Sequence, residues 1–327
     1  MMKKRILATV MMAVMTTSML AACGGSEEAA STDAPAEDAL QLALVMDGSI
    51  NDGGWYADCY AGGVRASEDY GYELAYSENL DQADFVTAIR EYAAEGYDLI
   101  VLSGNNFEDA VSQLHEEFPE THFAGVNFGL EAENVTAMGY NNKQGGFLGG
   151  AFAGLMSETG VVGFIGGTDM QPTLDGASGF EQGAKYVNPD AQAVSAMVGS
   201  WNDVAKGKEL AISQATTVNA DVIFAWAGSS NQGIYAGCEE AGIHALAEPL
   251  DGLDSSAAVY GSILMSNEAL IYDVAGKVAA GGYVGTTNYA DASLMNFGRY
   301  NDLVGEDVVA ELESILADLA SGAIVVE

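Results

Sequence analysis

The chain has 327 residues, with 11 Lys plus Arg against 47 Asp plus Glu and a formal net charge of −36. So acidic a chain is not built to hold nucleic acid by neutralising phosphates, nor to seek anionic lipid headgroups with its surface. An apolar share of 49% excludes wholesale disorder, and the length points to two domains of about 100–200 residues each.

Lys3, Lys4 and Arg5 precede an uncharged, mostly apolar run from Ile6 to Ala22, which predicts a secretory signal peptide over residues 1–22. The run ends Leu20-Ala21-Ala22-Cys23 and resembles a bacterial lipobox. That resemblance implies cleavage before Cys23 and a diacylglyceryl group on its sulfur; the plain alternative is an ordinary signal with a chance cysteine. Residues 23–39 are small, polar and acidic after the cysteine, the composition of a flexible linker. A lipid, a tether and a globular body together predict a domain held at the extracytoplasmic face of the cell membrane without entering it.

From residue 40 apolar runs alternate with helical patterns. Strands are predicted over 42–46, 72–76, 98–102 and 122–126, and helices over 55–70, 83–95 and 107–117, the last stopped by Pro119. The rhythm then restarts. Helices are predicted over 142–157, 180–187, 205–216, 231–241, 268–280 and 308–319, and strands over 161–165, 191–198, 221–225, 243–247 and 257–264. Such alternation predicts parallel sheets with helices on both faces. There are too many strands for one small sheet, so the predicted fold is α/β with two doubly wound, Rossmann-like lobes. Cys59 and Cys238 fall in helical stretches and read as small buried apolar residues. His115, His122 and His244 share no metal-ligand spacing, and neither a metal nor a cofactor is expected.

Ligands of open α/β sheets bind beyond the carboxyl ends of the strands, and the unusual residues lie there. Asp47 to Tyr56 follows the first strand, Ser103-Gly104-Asn105-Asn106 the third and Asn127 the fourth. Gly166-Gly167-Thr168-Asp169, Gly199-Ser200-Trp201-Asn202-Asp203 and Trp226-Ala227-Gly228 hold the same place in the second half, with Asp251 and Asp254 after a later strand. Trp55, Trp201 and Trp226 all fall at predicted strand ends. Glycine admits close backbone approach, carboxylates and amides bond hydroxyls and ring N–H groups, and tryptophan offers a stacking face.

These pieces, in this order, resemble the basic membrane protein family of bacterial lipoproteins, the purine-nucleoside-receptor type of ABC-transporter substrate-binding proteins. The matching stretches are Asp47 to Tyr56, Tyr140 to Gly150, Gly163 to Gly167, Gly179 to Pro189, Gly199 to Asp203 and Ala220 to Phe224. The resemblance implies a type I periplasmic-binding-protein architecture joined by a multi-strand hinge. The first lobe would hold residues 40–141 and 265–290, the second 142–264 and 291–327. It implies that Trp55 and Trp201 sandwich a purine, with Asp47, Asn51, Asp52 and Tyr56 beside it. Gly228 would be the close-approach backbone and Asp251 the carboxylate of the late loop, with Asp254 the fallback. Two positions depart from the family pattern. Asn127 stands where the family often has Asp, and Asn267 where it often has Lys. The exchange suggests a retained ring slot with an altered sugar end, or a neutral change around the same nucleoside.

The implied function is capture of a purine nucleoside or base and its delivery to an ABC permease, with no catalysis. Competing readings are another flat heterocycle, a sugar, a ligand sensor and an exported nucleoside hydrolase. Against the hydrolase, the predicted cleft loops hold no histidine, and the chain has neither a phosphate loop nor a G-x-S-x-G elbow.

Overall fold

The computed structural model describes residues 39–51, 55–281 and 288–327. The leader, Cys23, the acidic linker and Asp52 lie outside the described residues.

The first half runs β1 (Gln41–Val45), α1 (Trp55–Tyr70), β2 (Glu73–Ser77), α2 (Phe85–Glu95), β3 (Leu99–Leu102), α3 (Glu108–Leu114), β4 (His122–Val126) and β5 (Val135–Tyr140). Then come α4 (Asn142–Met156), β6 (Val161–Gly166), α5 (Gln171–Val187), β7 (Gln192–Met197), α6 (Val204–Val218), β8 (Val222–Trp226), α7 (Asn231–Ala241), β9 (His244–Ala247) and β10 (Val259–Leu264). The chain closes with α8 (Asn267–Ala279), β11 (Asn288–Ala290), β12 (Asn296–Phe297) and α9 (Glu306–Ala320).

Two six-stranded sheets result, ordered β11-β5-β4-β3-β1-β2 and β12-β10-β9-β8-β6-β7. Neighbouring strands are parallel throughout, except that β12 runs antiparallel to β10. Each sheet places its first strand between its second and third, the order of a doubly wound unit. Strands covered on both faces read as unbroken apolar runs rather than alternating ones. The Leu-Ile-Val-Leu of β3 and the Val-Ile-Phe-Ala-Trp of β8 are buried along their whole length. The fold is the α/β arrangement of two doubly wound lobes that the alternation predicts. The chain passes between the sheets three times: from β5 into α4, from β10 into α8, and from β11 to β12.

The structure departs from the sequence reading in several places. β5 has no predicted counterpart, because Val-Thr-Ala-Met-Gly-Tyr carries neither alternation nor a strong apolar run, although all six residues are buried. β11 and β12, three and two residues long, are too short to show a period. α3 stops at Leu114, before the predicted end at residue 117. α5 begins at Gln171 rather than at residue 180. Its early glycines look like helix breakers but serve packing. Cβ atoms on Gly179 and Gly183 would collide with the Lys143 and Phe147 carbonyls of α4, and a Cβ on Gly146 of α4 would collide with the Gly176 carbonyl. The two helices therefore touch main chain to main chain, which only glycine allows. Cys59 and Cys238 are buried, and burial pushes the Cys238 thiol up to about 12.

Candidate functional site

The candidate residues gather at the carboxyl ends of the parallel strands. In the first lobe β1 delivers Asp47 and β3 delivers Ser103 on either side of the point where the strand order reverses. Asp47 accepts a hydrogen bond from Asn106 Nδ2 at 2.7 Å and a longer one from Ser103 Oγ at 3.5 Å. Trp55 opens α1, and its indole Nε1 donates to the Ser103 carbonyl at 2.6 Å. With its polar atom satisfied inside the lobe, the ring keeps 37% of its surface exposed. The Tyr56 ring lies over Gly48, where a Cβ would occupy the ring's place.

The loop between these residues is held from the next strand. Glu78 accepts from the backbone of Ile50 at 2.9 Å, and Asn79 donates its backbone N–H to Gly48 at 3.1 Å. Asn51 is exposed, with its backbone N–H on Ser49 Oγ at 3.2 Å. Asn127 follows β4 in the left-handed region with φ 59°, which asparagine tolerates better than most residues. Its backbone N–H donates to Met138 of β5 at 2.6 Å, and its side chain is exposed. Asn267 is buried at the start of α8, where its backbone N–H donates to Asp58 Oδ2 at 2.5 Å.

In the second lobe Trp201 follows β7 and is 40% exposed. Its ring rests on Gly167, where any Cβ would meet it, and its edge lies beside Gly228. Gly228 has φ 58°, a conformation that favours glycine. The Trp201 carbonyl accepts from Ser230 N at 3.2 Å, tying the β7 and β8 loops together. Trp226 corrects the expectation for the third tryptophan. It is the last residue of β8, only 6% exposed, and packs in the core against Phe164 and Phe224.

Asp251 is paired with a residue the sequence reading did not single out. Arg299 Nε donates to its Oδ2 at 2.6 Å, while the other end of the guanidinium reaches Asp254 at 2.7 Å. Partial burial raises the Asp251 carboxyl, but the Arg299 hydrogen bond and the Leu253 backbone N–H outweigh it and hold the carboxyl below its ordinary range.

Glu248 was also missed. It follows β9 directly and keeps a little accessible surface, while its carboxyl sits in buried surroundings. Burial pushes that carboxyl up to about 8, against the opposing effect of its hydrogen bond with Asn231. The one signal in the sequence was a carboxyl set immediately after an apolar run and before Pro249. A neutral carboxyl at this strand end donates a hydrogen bond, which a carboxylate cannot do.

Among the described residues no cluster of three or more His, Cys, Asp or Glu is placed to hold a metal ion, and no helix is long and apolar enough to cross a membrane. The arrangement offers flat aromatic faces flanked by acceptors and donors.

Known proteins resemble this chain in sequence and fold. Residues 39–314 match the Bmp family, described as ABC transporter substrate-binding protein PnrA-like. The chain is 24% identical over 280 residues to the transcriptional activator protein med of Bacillus subtilis, covering 84% of this chain and 87% of that protein. It is 27% identical over 241 residues to the ABC transporter nucleoside-binding protein BmpA of Lactococcus lactis, covering 72% of this chain and 68% of that protein. A solved ABC transporter solute-binding protein from Conexibacter woesei shares the fold, with a TM-score of 0.75 at 22% identity over 88% of this chain and 99% of that one. The chain belongs to the Bmp family of PnrA-like ABC transporter substrate-binding proteins.

Proposed function

We propose that this substrate-binding protein captures a purine nucleoside or a related base between its two lobes and delivers it to an ABC permease. A lipid on Cys23 would hold it at the extracytoplasmic face of the cell membrane. The observation that carries this reading is the pair of tryptophans, one per lobe, each anchored within its own lobe and 37% and 40% exposed. Two flat rings that need no partner of their own suit a flat aromatic guest. The nucleoside-binding relative in Lactococcus lactis supports the same choice.

In this reading residues 40–141 and 265–290 form one lobe, and 142–264 and 291–327 the other. Asp47, Asn51, Asp52, Trp55, Tyr56, Asn127 and Asn267 belong to the first wall of the site, and Trp201, Gly228, Asp251 and the added Glu248 to the second. Closure of the lobes about the hinge would bring the walls together, a motion common among binding proteins. Binding rather than catalysis is the task.

The test is calorimetric titration of the full chain, unfolded and refolded to remove carried ligand, with adenosine, guanosine, inosine, adenine and a hexose. Micromolar or tighter binding of a nucleoside that is lost in Trp55→Ala supports the reading. Binding of adenine alone assigns a rebuilt sugar end to Asn127 and Asn267. Binding of the hexose alone overturns the purine assignment. A second reading, a ligand sensor, is favoured by the Bacillus subtilis relative, whose name is that of a transcriptional activator. The same capture step would serve it.

A further inference from the structure

The three passages between the sheets meet at one hydroxyl. Tyr140, the last residue of β5, donates its hydroxyl to the Ser266 carbonyl at 2.9 Å, with the Leu294 carbonyl at 3.5 Å. Tyr140 opens the first passage, Ser266 stands in the second and Leu294 in the third. The side chain is buried, and that burial, with the charges of Asp58 and Asp273 adding to it, raises the phenol far above its ordinary value and keeps it a donor. Two further hydrogen bonds tie the segments around the first and third passages. Asn141 N–H donates to the Ala290 carbonyl at 2.9 Å, and Ala292 N–H donates to Gln144 Oε1 at 3.0 Å.

From Ser266 the contacts run on to the ligand wall. Ser266 caps α8, its hydroxyl accepting from Ala269 N at 3.2 Å. The next residue, Asn267, gives its backbone N–H to the buried carboxylate of Asp58 at 2.5 Å. Asp58 lies one turn along α1 from Trp55, on the same helix face by its i, i+3 spacing.

We propose that Tyr140 is a positioning residue for ligand capture: its hydroxyl joins the three interlobe passages and, through Ser266, Asn267 and Asp58, holds the helix that presents Trp55. Hinges work by changing backbone dihedrals in a few linking residues. A donor shared by the passages makes those changes concerted, and losing it leaves the Ser266 carbonyl with only the 3.5 Å contact from Leu270 N–H and removes the longer contact to Leu294. The proposal rests on the reading that the two lobes close on a ligand.

The test places spin labels on the full chain carrying Cys23→Ser, at Ser112→Cys on α3 and Ser213→Cys on α6, both exposed, while the remaining native Cys59 and Cys238 are buried. Tyr140→Phe is expected to broaden the inter-label distance distribution of the ligand-free chain. It should also speed nucleoside dissociation about fivefold, the fold-change of one modest hydrogen bond. Gln144→Met, which removes the acceptor for Ala292 and lies nearer the surface, is expected to broaden the distribution in the same sense and decides the matter if Tyr140→Phe does not fold. A merely structural tyrosine would lower the melting temperature and leave the width untouched. Unchanged widths in folded variants overturn the proposal. Failure of the wild-type chain to bind any purine would sink the ligand assignment instead, and the ligand-free distances would still decide the hinge.

Discussion

The indole nitrogen of Trp55 and the backbone carbonyl of Ser103 lie 2.6 Å apart, joining the first residue of α1 to the residue that closes β3. The bond spends the only polar atom of the ring inside the lobe, so the guest is offered a face and not an N–H. Stacking of a base on an aromatic ring contributes about 1–3 kcal/mol. Trp55→Ala should therefore weaken nucleoside binding by about 5- to 150-fold. Trp55→Phe keeps a ring but loses its anchor, and should fall between wild type and alanine. Calorimetric affinities for the three proteins check this order, and an unweakened alanine variant would remove Trp55 from the site.

Trp201 depends on the absence of a side chain at Gly167. A Cβ there would stand where the ring rests, and the ring's own exposure gives it room to swing outward. Gly167→Ala should then cost about tenfold in affinity while barely moving the melting temperature. A large drop in melting temperature would mean that the position matters to the core rather than to the aromatic face.

Most of the fold was legible because long elements carry their own pattern. α1 and α7 stand at the predicted residues 55–70 and 231–241, and β4 at 122–126. What escaped was settled by tertiary contact. β5 is fully buried between β4 and β11, so its neighbours rather than its pattern make it a strand. The first half of α5 needed the surface of α4 to turn glycines from a cost into a fit. Of the candidate site, the tryptophans were visible as rare residues at strand ends, yet burial alone separates Trp226 from Trp55 and Trp201. Arg299 could not be read at all, since it meets Asp251 from 48 residues away.

That pairing makes a sharp prediction about the late loop. If Asp251 serves the ligand through the loop that Arg299 braces, removing either partner frees the same loop. Asp251→Asn, Arg299→Gln and the double variant should then show about the same loss of affinity, the non-additivity of residues acting as one unit. Arg299 is exposed and the Asp251 side chain keeps 29% of its surface accessible, so raised salt should weaken the brace as well. A much larger loss in Asp251→Asn than in Arg299→Gln would assign direct ligand contact to the carboxylate. Affinities for the four proteins at low and high salt decide between the two.

Glu248 predicts a pH dependence of definite sign. Its carboxyl titrates near 4.5 when free and near 8 in the folded protein, raised chiefly by burial. Between those values the folded chain holds a proton that the unfolded chain has released. The stabilisation from the neutral carboxyl is therefore complete below about 4.5 and is lost as pH rises through about 8. Asp251 and Asp291, whose carboxyls are held low, contribute in the opposite sense at acid pH, so the wild-type curve alone does not isolate Glu248. Glu248→Gln does, because it keeps a neutral group of the same shape at every pH. Urea unfolding midpoints of the wild type should fall relative to this variant as pH climbs across that window. Nucleoside affinity should change over the same window only in the wild type, as Glu248 passes from donor to acceptor. Midpoint curves that stay parallel would show that the carboxyl is ionised throughout, and would leave the second wall with acceptors alone.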